Sequence, residues 1–116
     1  MANEKALKML KQEDVKGFNK WVKQRRKKGK KALDLDDQNL AGLMLRGVDL
    51  RGAHLNGTNL RNTDLRNANL ENARLRQADL RMTNFAKANL RGANLTKAKL
   101  TNAEFSGTNL KKAKGN

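Results

Sequence analysis

Several residue types that usually carry chemistry are scarce or missing in this 116-residue chain. It has no cysteine and no tyrosine, and His54 is its single histidine. The absence of cysteine excludes disulfides and thiolate metal sites, and no phosphate-binding glycine loop or calcium-binding loop is recognisable. Because catalysis needs convergent acids, bases, nucleophiles or metal ligands, we expect no enzyme, no cofactor, no metal site and no small-molecule substrate.

Long apolar runs are missing as well. No run approaches the ~20 residues that are needed to span a bilayer. The charged start of the chain, from Glu4 onward, lacks the apolar centre of a secretory signal. These two absences predict a cytoplasmic protein without a transmembrane segment.

Negative charge is also in short supply. The chain has 26 basic and 11 acidic residues and a formal net charge of +15. Residues 1–31 hold twelve bases and three acids, whereas residues 32–116 hold fourteen bases and eight acids. An excess of this size favours an anionic partner, such as nucleic acid, a membrane surface or an acidic protein surface. The alternative is that the charge only keeps a repetitive protein in solution.

What the sequence does contain is a leucine or phenylalanine at every fifth position, sixteen times in succession, from Leu35 to Leu110. A period of five fits neither an amphipathic helix nor a strand, and it therefore indicates a repeat architecture. Two residues earlier stands Ala or Thr in twelve of the sixteen units, and one residue earlier stands Asn or Asp in eleven. We expect the large and the small apolar groups to point inward, Asn and Asp to form tight bends, and the other two positions to face water.

The pattern A-[DN]-L-x-x is matched literally by Ala68-Asn69-Leu70 and by Ala78-Asp79-Leu80, among other units. With these units the chain resembles the pentapeptide repeat family over residues 32–114. The resemblance implies an all-β solenoid, a right-handed quadrilateral parallel β-helix with four units per coil, and hence about four coils. With twenty residues per coil, Phe85 and Phe105 fall on one side in consecutive coils, where their rings can stack.

Residues 1–31 are predicted to form a separate basic, helical cap and strap that precedes the β-helix of residues 32–116. Apolar residues near helical spacing predict helix over residues 2–27, with Gly17 as a bend or as the division between two short helices. We expect the open first coil to be covered by Phe18, Trp21 and Val22. The alternative is a free basic helix that binds nucleic acid or an acidic membrane.

Seven of the nine residues from 23 to 31 are basic. A run of this kind usually forms a solvated strap or helix end, but each of its side chains can also displace a counterion from a phosphate. The candidate anion-binding residues are therefore Arg25, Arg26, Lys27, Lys28, Lys30 and Lys31.

The last unit of the repeat is followed only by Lys111 to Asn116, a segment too short and too polar to cover the final coil. An uncovered coil presents apolar groups and unpaired strand groups, which a second copy can cover. We therefore expect an end-to-end homodimer, or the docking of a partner, through Leu95, Leu100, Phe105 and Leu110. The alternative is that the nearby lysines keep this edge solvated and the chain monomeric.

These features favour a non-catalytic basic binding or scaffold module that contacts nucleic acid or a nucleic-acid-bound protein complex. The resemblance implies an alternative, because some pentapeptide repeat proteins imitate duplex DNA and modulate DNA gyrase. That imitation needs an acidic rod, and the basic repeat of this chain disfavours it. The remaining alternative is a purely structural protein–protein interaction module.

Overall fold

The computed structural model describes residues 2–115, which form two helices followed by a coiled chain. Helix α1 spans Glu4–Lys11 and helix α2 spans Val15–Lys27. Residues 34–114 then follow a coil in which one residue in every five forms a parallel β-bridge. The described residues contain no strand longer than such a single bridge, so the expected β-structure is present as a ladder of isolated bridges.

The bridges set the register of the coil. Each bridge joins two residues that lie twenty positions apart, as Asp49 and Asn69 do, and as Asn69 and Asn89 do. Twenty residues are four five-residue units, which agrees with the four units per coil that the resemblance implied. Residues twenty apart therefore stack on one side, and we call side four the one that carries Leu50, Leu70, Leu90 and Leu110.

The apolar position of each unit fills the inside of the coil. From Leu35 to Leu90 every such residue is no more than 1% exposed, and the Ala or Thr two residues earlier is also buried from Ala53 to Ala98. The hydroxyl of Thr83 donates to the carbonyl of Leu60 at 2.6 Å, so this small inward group leaves no polar atom unpaired. The rings of Phe85 and Phe105 stack with their centroids 5.4 Å apart, which confirms that prediction.

The turns use two positions of each unit. The Asn or Asp before the leucine accepts a hydrogen bond from the backbone N–H two residues later, as Asn59 does from Arg61 at 3.1 Å. The second residue after the leucine has a φ between 59° and 72° in all sixteen units, from Asp37 to Lys112. Eleven of these sixteen residues are Gly, Asn or Asp, which tolerate a left-handed backbone. From the sequence this position was expected only to face water. In the structure it also forms the left-handed turn of each unit.

The segment does form two short helices, but they do not divide at Gly17, and that position was wrong. They divide between Lys11 and Val15, where Glu13 has a φ of 58°. The carboxylate of Asp14 caps α2 by accepting from the backbone N–H of Gly17 at 2.9 Å. A Cβ on Gly17 would press on that carboxylate, so glycine fits this position without displacing the capping side chain.

Both helices pack on the first coil. Ala6, Leu7, Leu10, Phe18 and Val22 are buried, and they share one continuous core with the leucines of the coil. Polar contacts add to this packing, since the side chain of Asn19 donates to the carbonyl of Gly47 at 3.0 Å and accepts from the N–H of Asp49 at 2.8 Å. The helices thus supply hydrogen-bond partners to backbone groups at the edge of the first coil.

Candidate functional site

A pocket of about 220 Å³ lies between the end of α2, the segment that follows it and side four of the first coil. Its wall carries one carboxylate, that of Asp49. Five cationic residues line the rest of it, and these are Arg25, Arg26, Lys30, Lys31 and Arg51.

A Schellman turn builds this pocket. At the end of α2 the N–H of Gly29 donates to the carbonyl of Arg26 at 3.0 Å, and the N–H of Lys30 donates to the carbonyl of Arg25 at 3.1 Å. Gly29 has a φ of 67°, the left-handed conformation that such a turn requires. The chain therefore reverses after α2, and Lys30 and Lys31 return beside the two arginines of the helix.

Asp49 holds two of the arginines in place. Arg26 donates from both terminal nitrogens to its carboxylate, at 2.6 and 2.8 Å, and Arg51 donates from Nη2 and Nε at 3.1 and 3.2 Å. Burial raises the pKa of the Asp49 carboxyl, but the hydrogen bonds from Arg26 and Arg51 outweigh it and lower the pKa from 3.8 to about 2. The carboxylate stays ionised at neutral pH and fixes both guanidinium groups on the pocket wall.

Arg25 is held by other partners. Its Nη2 donates to the carbonyl of Lys31 at 2.9 Å, and its guanidinium carbon lies 5.1 Å from the centre of the Trp21 ring. The ammonium of Lys5 lies 5.8 Å from the same ring, and the ring of Phe18 is 6.0 Å away. Trp21 is half-buried, whereas Phe18 and Val22 are buried against the first coil. Trp21 therefore links the helix packing to the basic pocket.

The structure brings together four of the six predicted anion-binding residues, Arg25, Arg26, Lys30 and Lys31. Lys27 and Lys28 are exposed and lie outside the pocket lining. Sequence reasoning missed Asp49 and Arg51. The twenty-residue register could have found Arg51, because it stands twenty positions after Lys31.

Asp49 could have been found from a second pattern, the tripeptide Asp-Leu-Arg. It occurs at residues 49–51, 64–66 and 79–81. In each case the arginine forms an ion pair with the aspartate two residues earlier, with distances of 3.1, 2.7 and 2.7 Å. The pattern therefore marks outward arginines whose charge is already compensated, and the pair at 49–51 is the one that also contacts the helices.

The predicted end-to-end residues lie together at the last coil. Leu95, Leu100, Phe105 and Leu110 line a second cavity of about 280 Å³, and Leu110 is 40% exposed. The N–H groups of Leu100, Phe105 and Leu110 have no acceptor among the described residues. One coil earlier, the N–H groups of Leu80, Phe85 and Leu90 each donate to a carbonyl of the next coil. This surface is therefore apolar and carries free hydrogen-bond donors.

Residues 2–115 offer neither a metal centre nor a membrane-spanning helix. No cluster of three or more His, Asp or Glu side chains in this range is arranged to hold a metal ion. Neither α1 nor α2 combines the length and the apolar character of a bilayer-spanning helix. The basic pocket and the apolar surface of the last coil are thus the two candidate sites.

Comparisons with known proteins identify the type of repeat in this chain. A family model for pentapeptide repeats matches eight copies, over residues 45–81 and 83–114. Among solved structures, the pentapeptide repeat protein Rfr23 from the cyanobacterium Cyanothece 51142 is 33% identical, with a TM-score of 0.69. That match covers 72% of this chain and 57% of Rfr23. The pentapeptide repeat protein alr5209 from Nostoc Pcc 7120 is 36% identical, with a TM-score of 0.64, over 65% of this chain and 62% of its own.

This chain therefore spans less than two thirds of the length of either relative. No curated protein matches it significantly. Proteins built from this repeat fold as right-handed quadrilateral β-helices. Since the family model covers more than half of the residues, the chain belongs to the pentapeptide repeat family.

Proposed function

We propose that this protein is a non-catalytic binding module that contacts the phosphates of nucleic acid through its basic N-terminal segment. The observation that carries the proposal is that five cationic residues line one pocket whose single carboxylate is already paired. Lysines and arginines that neutralise phosphates release condensed counterions, which favours binding without any reading of bases.

Binding is expected to be independent of nucleotide sequence. Phe18 and Phe85 are buried, Phe105 lines the cavity of the last coil, and the ring of Trp21 is engaged by Arg25 and Lys5. These are all the Phe and Trp residues of a chain that has no Tyr, so the sides of the coil offer no Phe, Tyr or Trp ring on which a base could stack. Phosphates are then the groups that the protein recognises.

The salt dependence of binding to a DNA duplex tests this proposal. With about five phosphate contacts, the slope of log affinity against log salt concentration is expected near −4 to −5. A variant with Arg25, Arg26, Lys27, Lys28, Lys30 and Lys31 changed to Gln should bind weakly with a nearly flat slope.

A control variant carries the same change in charge elsewhere on the molecule. In it, Gln replaces six exposed lysines of the coil, namely Lys87, Lys97, Lys99, Lys111, Lys112 and Lys114. This control should keep most of the wild-type slope. Equal losses in the two variants, or no measurable binding of the wild type at ~50 mM salt, would overturn the proposal and favour a purely structural, protein-binding role.

We further propose that α1 and α2 act as a cap on the coil. Their buried residues belong to the same core as the coil leucines, and Asn19 supplies hydrogen bonds to its edge. Deletion of residues 1–28 should therefore expose Leu33, Leu43 and Val48 and cause aggregation. A soluble truncation with unchanged thermal stability would show that the segment serves binding alone.

The apolar surface of the last coil suggests an interface with a second copy of the chain. Two such surfaces related by a two-fold axis can cover each other, and their free backbone donors can find partners there. The alternative, in which the neighbouring lysines keep the surface solvated and the chain monomeric, is the other outcome of measuring the association state.

A further inference from the structure

We infer that the pocket beside Gly29 selects a phosphate monoester, the terminal phosphate of a nucleic acid strand, over the internal diesters of its backbone. The inference rests on the proposed function, because it assigns one part of the basic segment to the end of a strand. It goes further in giving the pocket a ligand chemistry that the exposed Lys27 and Lys28 do not share.

The first argument is shape. The pocket is concave, and its volume of about 220 Å³ lies below the ~300 Å³ at which pockets for drug-sized ligands begin. A terminal phosphate can enter such a pocket end-on, whereas an internal diester carries chain on both sides. The pocket is bordered by α2, the return segment and side four, and a ligand with chain on one side only needs a single path out of it.

The second argument is charge. A phosphate monoester carries about −1.5 to −2 charges at pH 7 and presents three strong acceptor oxygens, whereas an internal diester carries one charge and two free oxygens. Five cations against one carboxylate line the pocket. The carbonyls of Arg25 and Arg26 at the end of α2 already accept hydrogen bonds, so their negative ends are not turned unpaired toward an anion.

The third argument is that several of the hydrogen-bond donors are already held in fixed positions. Arg26 and Arg51 are fixed by Asp49, and Arg25 is fixed by the carbonyl of Lys31 and the Trp21 ring. Each guanidinium has five N–H donors, so hydrogen-bonding capacity remains after these contacts. Groups already held in place lose little conformational freedom when an anion binds. Lys30 and Lys31 form no ion pair with any described residue, and their ammonium groups remain available to close over the ligand.

Two labelled single-stranded DNA 12-mers of one sequence provide the test, one with a 5′-phosphate and one with a 5′-hydroxyl. At near-physiological salt the phosphorylated strand should bind about fivefold tighter, because its end forms additional charge-assisted hydrogen bonds. The K30Q/K31Q variant should reduce this ratio to about one, since both lysines line the pocket. Both lysines are exposed and neither forms an ion pair with another described residue, so the fold should be kept, as circular dichroism would show.

The matched control is K27Q/K28Q, which removes the same charge from the same segment outside the pocket. It should weaken both strands alike and leave their ratio unchanged. Equal losses of the ratio in the two double-lysine variants would overturn the inference, because the selectivity would then be general electrostatic attraction.

The outcomes separate this inference from the proposed function. Equal affinity of the wild type for both strands, with the steep salt dependence retained, overturns the monoester site and leaves the proposed function standing. If neither strand binds, the proposed function fails. Calorimetric titration with inorganic phosphate then tests whether the pocket binds phosphate by itself. Saturable binding of inorganic phosphate that K30Q/K31Q abolishes would support the site, and no binding would overturn it.

Discussion

Arg26 reaches from the last turn of α2 to Asp49 of the first coil and donates to both carboxylate oxygens, at 2.6 and 2.8 Å. The same carboxylate accepts from Arg51, so one acidic group ties the basic segment to the coil. An isolated surface ion pair contributes little to stability, but this one is bidentate, partly buried and shared between two arginines. The Asp49 carboxylate thus anchors the end of α2 and also neutralises part of the positive charge of the pocket.

Replacing Asp49 by Asn tests the anchor through its pH dependence. The coil accepts asparagine here, because Asn69, Asn89 and Asn109 occupy the equivalent position in the next three coils. The pKa of Asp49 is lowered to about 2 in the folded protein, so its contribution to the free energy of unfolding is present above pH ~4 and is lost as the pH falls toward 2. At pH 7 Asp49→Asn should cost about 1–2 kcal/mol, the scale of a charged hydrogen bond.

Denaturant unfolding of wild type and Asp49→Asn between pH 7 and pH 2 measures this effect. The gap between the two proteins should be widest at neutral pH and should close toward pH 2. Other lowered carboxyls, such as Asp79 with a pKa of about 2 beside Arg81, titrate in both proteins and cancel in the comparison. Parallel curves across the whole range would show that the Asp49 carboxylate does not stabilise the fold.

The core of the coil is tested by Leu70 and Arg76. Leu70 is fully buried in the second coil, whereas Arg76 is exposed. Leu70→Ala should lower the free energy of unfolding by about 2–5 kcal/mol through the cavity that it leaves. Arg76→Ala should change it by less than ~0.5 kcal/mol, as surface substitutions usually do. Small and equal effects in chemical denaturation would contradict an interior filled by the fifth-position leucines.

Much of the architecture of the coil could be predicted from the spacing of single residues. The unbroken period of five placed Leu70 inside and put Phe85 above Phe105, since it fixes which side chains share a side once the coil length is known. For the residues two positions after each leucine, the repeat pattern alone predicts only exposure to solvent. The frequency of Gly and Asn there, as in Gly52 and Asn67, is the signal of a positive φ that could have identified the turn.

The pocket could not be predicted in the same way, because it depends on contacts between distant parts of the chain. Lys30 and Lys31 meet Arg51 only because Gly29 reverses the chain and the helices rest on the first coil. Periodicity describes the coil, but it carries no information about where a non-repeating segment folds back. Gly17 illustrates the same limit, since its backbone N–H donates to the Asp14 carboxylate that caps α2, a contact that glycine's weak helix propensity does not predict.

Met82 provides a test of the turn position. It has a φ of 60° and is 42% exposed, whereas Asn62 and Asn102 occupy the same position one coil before and one coil after. A left-handed conformation costs a residue such as methionine more than it costs asparagine. Met82→Asn should therefore raise the free energy of unfolding by about 0.5–1 kcal/mol. Met82→Val should lower it, because a β-branched side chain fits this backbone poorly. Thermal unfolding of the pair would contradict the assignment if Val were tolerated as well as Asn.

Leu110 tests the proposed association through the last coil. It is 40% exposed at the apolar surface that Leu100 and Phe105 also line, so Leu110→Lys adds a charge there without emptying the core. Met82→Lys is the matched control, since Met82 is 42% exposed on the side of the coil and Lys87 and Lys97 show that lysine fits this turn position. In sedimentation equilibrium, wild type and Met82→Lys should show a concentration-dependent monomer–dimer equilibrium, and Leu110→Lys should remain monomeric. The physical reason is that a dimer would bring two copies of the new charge together in an apolar interface, where unpaired charges are costly to bury. A wild type that stays monomeric at every concentration would contradict self-association and favour the alternative in which the neighbouring lysines keep this surface solvated. A dimer that persists in Leu110→Lys would show that the contact lies elsewhere on the molecule.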